Sequence, residues 1–151
     1  MENTNYSPSF FRFEDLRVYQ KALDYYIWVI ENTAGFPNSD TNLLVKSFVE
    51  TAMNISAKIA EGSSKNKTQF VFHLKESKTC IRQCVMFTSV AMKLNYFNEE
   101  QEDISRNYLM ELTKMLGALI GSIQRDHNAP SHSSGRSYID DDDEIDEHNS
   151  Y

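Results

Sequence analysis

The chain has 151 residues, 40% of them hydrophobic, which suffices for one domain with its own hydrophobic core. Its five glycines and three prolines are too few for a β-sandwich with many turns. The net charge of −7 arises in residues 126–151, which hold eight acidic residues and one arginine, whereas residues 1–125 are neutral. The acidic composition therefore describes the C-terminal segment and not the part that folds.

From the sequence we expect neither a membrane protein nor a secreted protein. No apolar run is long enough to cross a membrane. Residues 1–5 have neither the positive charge nor the apolar block of a signal peptide. Two cysteines, Cys80 and Cys84, do not form a disulfide framework and fit a reducing compartment. We therefore expect a cytoplasmic protein.

The N-terminal part predicts an extended lead-in followed by a first helix. Residues 1–12 have no apolar period, whereas Glu14 and Asp15 suit the positive end of a helix dipole. The helical spacing predicts an inner face of Leu16, Tyr19, Leu23, Tyr26, Ile27 and Ile30. Four further apolar residues make this face wider than packing against a single helix requires: Val18, Ala22, Tyr25 and Val29. Pro37 cannot continue the helix.

The next two helices are predicted from long apolar stripes. The second helix, capped by Ser39 or Asp40, is expected to run to about Glu61. Gly62 can then end the helix at a low conformational cost. Its stripe contains Leu44, Phe48, Thr51, Ala52, Ile55 and Ile59. The third, capped by Thr68, is expected to run to about Tyr96. Its stripe contains Phe70, Leu74, Ser77, Ile81, Cys84, Val85, Thr88, Ala91 and Met92.

A capping signature, Asn98-Glu99-Glu100-Gln101, predicts the start of a fourth helix. Its apolar positions are Ile104, Tyr108, Leu112, Met115, Leu116, Leu119 and Ile123. Residues 127–151 combine linker composition with an acidic run at 140–147, and we expect them to be disordered. Four helices with short loops predict an all-α, antiparallel up-down-up-down four-helix bundle over residues 13–126.

Several sequence pieces resemble a known family. They are residues 13–16 and 18–22, Phe36-Pro37, and Ala52 through Ile55 to the turn of Ile59, Ala60, Glu61 and Gly62, followed by Phe70 and Leu74. Over roughly residues 13–124 the chain resembles the bacterial four-helix-bundle family of the 23S rRNA intervening-sequence protein. It differs at Val49 and Glu50, where the family usually has two arginines.

The resemblance implies a ring-like homo-oligomer, often a pentamer, without enzymatic activity. Relatives that serve diversity-generating retroelements bind nucleic acid and a reverse transcriptase through basic outer surfaces. A nucleic-acid-binding accessory protein is therefore the alternative to a homo-oligomeric scaffold or adaptor.

The helices also carry more apolar surface than one bundle can bury. This excess predicts an interface for self-association, although a wide core stripe is the other interpretation. The candidate interface residues are Val18, Tyr25, Val29, Val45, Val49, Met53, Phe87 and Leu94.

The strongest charge asymmetry lies between residues 63 and 97, where Glu76 is the single acid. With the third predicted helix labelled α3, from about Thr68 to about Tyr96, we name the bases of this region the α3 basic face: Lys65, Lys67, Lys75, Lys78, Arg82 and Lys93. The last four fall within about 60° at 100° per residue. Such a stripe can neutralise phosphates of a nucleic acid. Two alternatives remain: an ordinary solvated helix face, or a surface covered by the acidic tail, in cis or from a neighbouring subunit.

No catalytic, metal or cofactor site is predicted. Cys80 and Cys84 lie one turn apart, but His73 is roughly 10 Å from Cys80 along the axis, too far to share a zinc ion. Buried small hydrophobes are the expected role of both thiols. The acidic run at 140–147 lacks the glycine and the spacing of a calcium loop. No pair of Glu-x-x-His motifs and no nucleophile–base constellation occurs.

Overall fold

In a computed structural model of the chain, residues 8–128 are described, and their side chains as far as Asp126. A short 3₁₀-helix, Arg12–Asp15, precedes four α-helices. These are α1 (Arg17–Thr33), α2 (Leu43–Ser63), α3 (Lys67–Lys93) and α4 (Glu99–Asn128). No strand occurs between residues 8 and 128, which confirms the predicted all-α, four-helix fold. Most of the predicted disordered tail, residues 129–151, and residues 1–7 of the lead-in lie outside the described residues.

Each helix packs against two neighbours, since α2 contacts α1 and α3, and α4 contacts α3 and α1. At the end of α1, Asn32 accepts a hydrogen bond of 3.1 Å from the Gln101 amide near the start of α4. Nearer the start of α1, Lys21 forms an ion pair with Glu111, further along α4. Residue numbers thus rise along α1 as they fall along α4, and this pair is antiparallel.

The bundle buries a different face of α1 from the one predicted. Ala22, Tyr25 and Val29 are fully buried and Val18 is 5% exposed. The predicted inner face is wrong, because Ile27 and Ile30 are 51% and 42% exposed. The other four residues of that predicted face are only half-buried: Leu16, Tyr19, Leu23 and Tyr26.

The stripes of α2 and α3 are confirmed in outline. Their fully buried members meet α4 in a continuous core that comprises Phe48, Ala52, Ile55, Ile59, Leu74, Ser77, Ile81, Cys84, Thr88, Ala91, Leu109, Leu112 and Leu116. The Ser77 hydroxyl donates a 2.9 Å hydrogen bond to the carbonyl of Ile55, which joins the two helices inside the core.

Several helix ends differ from the prediction. The side chain of Asn42 accepts from the Leu44 N–H at 2.9 Å, so Asn42, not Ser39 or Asp40, caps α2. Similarly, Asn66 rather than Thr68 caps α3. The physical reason is the same at both positions, since a short amide side chain next to the first turn reaches an unpaired N–H.

At its C-terminal end, α3 stops at Lys93 rather than near Tyr96. Asn95 adopts a left-handed conformation with φ of 58°, and the Tyr96 N–H donates to the Ala91 carbonyl at 2.8 Å. This pattern is a Schellman motif, which uses asparagine in place of glycine.

The predicted cap of α4 is confirmed. The Gln101 N–H donates to Asn98 Oδ1 at 2.8 Å, and Gln101 Oε1 accepts from the Asn98 N–H at 2.9 Å, a reciprocal capping box. The helix continues to Asn128, so residues 127 and 128 are helical and not part of a disordered tail.

The lead-in also ends earlier than predicted. Arg12 already belongs to the 3₁₀-helix, which contacts α1 and α2. The Ser9 N–H donates to the Asp15 carboxylate at 3.2 Å and ties the preceding segment to this turn.

Gly62 does not end α2, as the sequence suggested, but lies buried inside its last turn. A Cβ atom at this position would lie 2.6 Å from the His73 Cβ and 3.0 Å from a ring carbon of Phe70. Gly62 therefore permits the close approach of α2 and α3, a packing role rather than a conformational one.

We expect Gly62→Ala to lower the free energy of unfolding by about 1–3 kcal/mol, because the added methyl group overlaps α3. The matched control is Gly117→Ala in α4, where a Cβ would have no neighbour within 4 Å. Since alanine favours a helix over glycine, that variant should gain about 0.5–1 kcal/mol. Urea unfolding followed by circular dichroism measures both changes. Equal stabilisation by the two substitutions would contradict the close contact at Gly62.

Candidate functional site

A chain of buried hydroxyl groups joins three of the helices. Tyr25 Oη and Ser105 Oγ are 2.9 Å apart, and Ser105 Oγ and Thr88 Oγ1 are 2.7 Å apart. Thr88 donates its proton to the carbonyl of Cys84 at 2.8 Å. Because that proton is used, Ser105 donates to Thr88 and Tyr25 donates to Ser105. The three side chains are completely buried and connect α1, α4 and α3.

The protonation states in this cluster suit a structural role. Burial, reinforced by the neighbouring Cys84 thiol, raises the pKa of Tyr25 far above that of a free phenol. Burial also raises the pKa of Cys84, so its thiolate is suppressed at neutral pH. A nucleophile would require one of these protons to leave readily. The cluster therefore positions helices and does not hold an activated group.

A second polar cluster lies between α2 and α3, around Glu76. Its carboxylate is 3.5 Å from Lys58 Nζ and 3.1 Å from His73 Nδ1. Nearby, Cys80 is half-buried, and burial raises the pKa of its thiol. Among residues 8–126, no group of three or more histidine, cysteine or acidic side chains could hold a metal ion. The buried position of Cys84 confirms its expected role as a small core residue.

The α3 basic face lies at the surface. Five of its six residues are exposed, and Lys78 is half-buried. Glu76, the single acid nearby in sequence, is turned toward α2 and pairs there with Lys58. It therefore does not lie among the bases, and the outer side of α3 is electropositive.

The candidate interface set divides into two groups. Val18, Tyr25 and Val29 are 5%, 0% and 0% exposed within the chain, so the prediction that they form subunit contacts is wrong. Their side chains face the bundle's own core because the Tyr25 hydroxyl reaches Ser105 there.

The remaining members lie at or near the surface. Val45 and Val49 are half-buried against the core, and the Phe87 ring stacks on Phe48 at 5.5 Å between ring centroids. Met53 and Leu94 are 39% and 49% exposed. Met53 therefore remains accessible to a second molecule, while Phe87 serves the contact of α2 with α3.

Sequence reasoning placed Ile27 and Ile30 of α1 in the core, whereas both are accessible in the structure. With half-buried Leu23 they fall within about 60° around the helix axis. The flank of α1 that carries Lys21 faces α4, and the flank of α2 that carries Lys58 faces α3. Leu23, Ile27 and Ile30 of α1, and Val45, Val49 and Met53 of α2, lie away from the flanks that carry these ion pairs. Since α1 and α2 pack against each other, we name these six residues together the α1–α2 apolar surface.

A groove of about 1100 Å³ lies beside the start of α1 and the middle of α4. It is bordered by Ser9, Glu14, Asp15, Arg17, Gln20, Lys21, Asp24, Glu111, Lys114 and Met115. Charges of both signs alternate here, and the ion pair of Lys21 with Glu111 crosses it. On the same lining, the Ser9 N–H donates to the Asp15 carboxylate.

Within residues 8–128, none of the helices combines the length and the apolar character that a membrane span requires. The comparison with curated proteins returned no match.

Among solved structures, the chain is similar to a crystal structure of a protein with unknown function from the S23 ribosomal protein family of Bacteroides thetaiotaomicron. The two share 18% sequence identity and a TM-score of 0.64, over 69% of this chain and 95% of the other. At this level of identity the similarity shows the fold alone.

The family model of the 23S rRNA-intervening sequence protein matches residues 14–118. The match begins in the 3₁₀-helix and extends well into α4, and it contains the contact between α2 and α3 at Gly62. Since it spans more than half of the sequence, the chain belongs to the 23S rRNA-intervening sequence protein family.

Proposed function

We propose that this protein is a non-enzymatic, cytoplasmic homo-oligomer that acts as a scaffold or adaptor, with subunits associating through the α1–α2 apolar surface. The observation that carries the proposal is the exposure of Ile27, Ile30 and Met53, which belong to the two neighbouring helices α1 and α2. Large apolar side chains exposed on neighbouring helices are typical of an interface.

A second copy of the chain is a suitable occupant of this surface. Residues 1–125 have no net charge, so subunits do not repel one another strongly through their folded parts. The family resemblance favours a pentamer. In a cyclic ring of that kind, the α1–α2 apolar surface would contact a different face of the next subunit.

The non-enzymatic part of the proposal is supported by the state of the reactive side chains. The Tyr25 phenol and the Cys84 thiol are buried, and their pKa values are raised. The half-buried Cys80 thiol is shifted in the same direction. These shifts oppose those of activated nucleophiles.

The test replaces Ile27 and Met53 together by aspartate. The unmodified chain should sediment as a multiple of 17.5 kDa, and the double variant as a single subunit, because charges oppose burial in the interface. Both sites are exposed, so circular dichroism should show unchanged helix content.

The matched control is Met86→Asp with Met110→Asp, which adds the same charge at two methionines that are each 48% exposed. This variant should retain the assembly. A monomeric unmodified chain would contradict self-association, and an intact assembly in Ile27→Asp/Met53→Asp would contradict the assigned surface.

A second candidate function, nucleic-acid binding as an accessory protein, is favoured by the α3 basic face. Its bases follow one side of α3 for more than 25 Å, at about 1.5 Å per residue from Lys75 to Lys93. Within residues 8–126, Lys78 and Arg82 form no ion pair that would neutralise them. Such a row of charges can bind successive phosphates.

For this candidate we expect Lys78→Glu with Arg82→Glu to weaken binding of a single-stranded RNA at least tenfold and to reduce its salt dependence. The control, Lys46→Glu with Lys114→Glu, makes the same charge change at exposed lysines elsewhere. Fluorescence anisotropy over a salt series measures both. It should be recorded for the full chain and for a full-length chain whose seven acids within residues 140–147 are replaced by amides. Retained binding in Lys78→Glu/Arg82→Glu would contradict the assignment.

A further inference from the structure

We propose that the acidic run at residues 140–147 binds the N-terminal part of the α3 basic face of its own chain, from Lys65 to Arg82. Seven of these eight tail residues are aspartate or glutamate. The partner is thus a segment of the same molecule that lies outside the described residues. This binding of the acidic run to the α3 basic face does not depend on nucleic-acid binding or on self-association.

The first support is the position at which the tail leaves the bundle. Thr88 of α3 and Ser105 of α4 are in hydrogen-bond contact, which places these two residues at the same level. At 1.5 Å per residue, α3 extends about 32 Å back from Thr88 to Lys67. By the same rise, α4 extends about 35 Å onward from Ser105 to Asn128. Since a short loop at residues 94–98 joins these packed helices, the end of α4 lies level with the start of α3.

The second support is the length of the connection. Residues 129–139 separate α4 from the acidic run, and the random-coil dimension of a chain of this length is roughly 20 Å. Lys75 lies about 12 Å and Arg82 about 22 Å along α3 from Lys67. Lys93 lies about 39 Å away, close to the limit of a fully extended connection. The acidic run therefore reaches the first bases most readily.

The third support is the distribution of charge on the described bundle. Three bases on other parts of the bundle have an acidic partner: Lys21 pairs with Glu111, Lys58 with Glu76, and Arg106 with Glu102. On the α3 basic face, Lys78 and Arg82 form no such ion pair within residues 8–126, and Glu76 is turned toward α2. A run of carboxylates is therefore attracted to this face.

The contact has a direct consequence for other ligands of the face. A polyanion would have to displace the acidic run, so the tail would act as a built-in competitor. The attraction is between exposed charges and falls with salt, because the Debye length shortens from about 10 Å at 0.1 M to about 3 Å at 1 M.

The experiment is carbodiimide cross-linking of the full chain at low salt, with cross-linked peptides identified by mass spectrometry. Carboxylates of residues 140–147 should join Lys65, Lys67, Lys75 and Lys78 at least fivefold more often than Lys46, Lys114 or Lys93. These tail cross-links should disappear in 1 M NaCl. Lys58 and Glu76, whose charged atoms are 3.5 Å apart between α2 and α3, should remain cross-linked and thereby show that the reagent is active.

A 1:1 mixture of isotope-labelled and unlabelled chains distinguishes the source of the carboxylates, and cross-links within one chain are expected. Lys78→Glu with Arg82→Glu should reduce cross-linking at Lys65 and Lys67, whereas Lys46→Glu with Lys114→Glu should not. The proposal is overturned by cross-links spread evenly over exposed lysines, by cross-links that survive 1 M NaCl, or by pairs that join labelled to unlabelled chains.

Discussion

The hydrogen bond between the buried Tyr25 hydroxyl and Ser105 sets the rotation of α1 on the bundle. A phenol without a partner in the core would cost several times the net gain of one hydrogen bond, so α1 must turn this side chain toward Ser105. Ser105 is in turn held by Thr88. One polar chain thereby determines which of two apolar stripes on α1 enters the core.

The other stripe remains outside as a consequence. Ile27 and Ile30 are exposed, although their spacing alone would suit a core face. At the opposite flank of α2, Gly62 lets α3 approach closely enough that any side chain would overlap His73. The bundle is thus closed tightly between α2 and α3. We propose that a second subunit binds the α1–α2 apolar surface.

The sequence predicted α2 and α3 well because each has one dominant apolar stripe, and the capping box at Asn98 and Gln101 because its chemistry is local. It failed on α1, where two stripes overlap and a long-range hydroxyl contact decides between them. The prediction that Gly62 ends α2 was wrong for a related reason. Glycine is common both at helix ends and at close helix contacts, and the second use depends on His73, which belongs to the next helix. The α3 basic face was predicted correctly as a surface feature, since exposed lysines need no partner to be placed. That this face binds nucleic acid stays a prediction.

The central claim, that a second copy covers the α1–α2 apolar surface, is tested most directly by oxidative footprinting of methionines in the unmodified full chain. Within one subunit Met53 is 39% exposed, only slightly less than Met86 and Met110 at 48% each. The account predicts that Met53 is oxidised at least fivefold more slowly than Met86 and Met110 at high protein concentration, and that this protection is lost on dilution. Oxidation of all three methionines at similar rates under both conditions would contradict it.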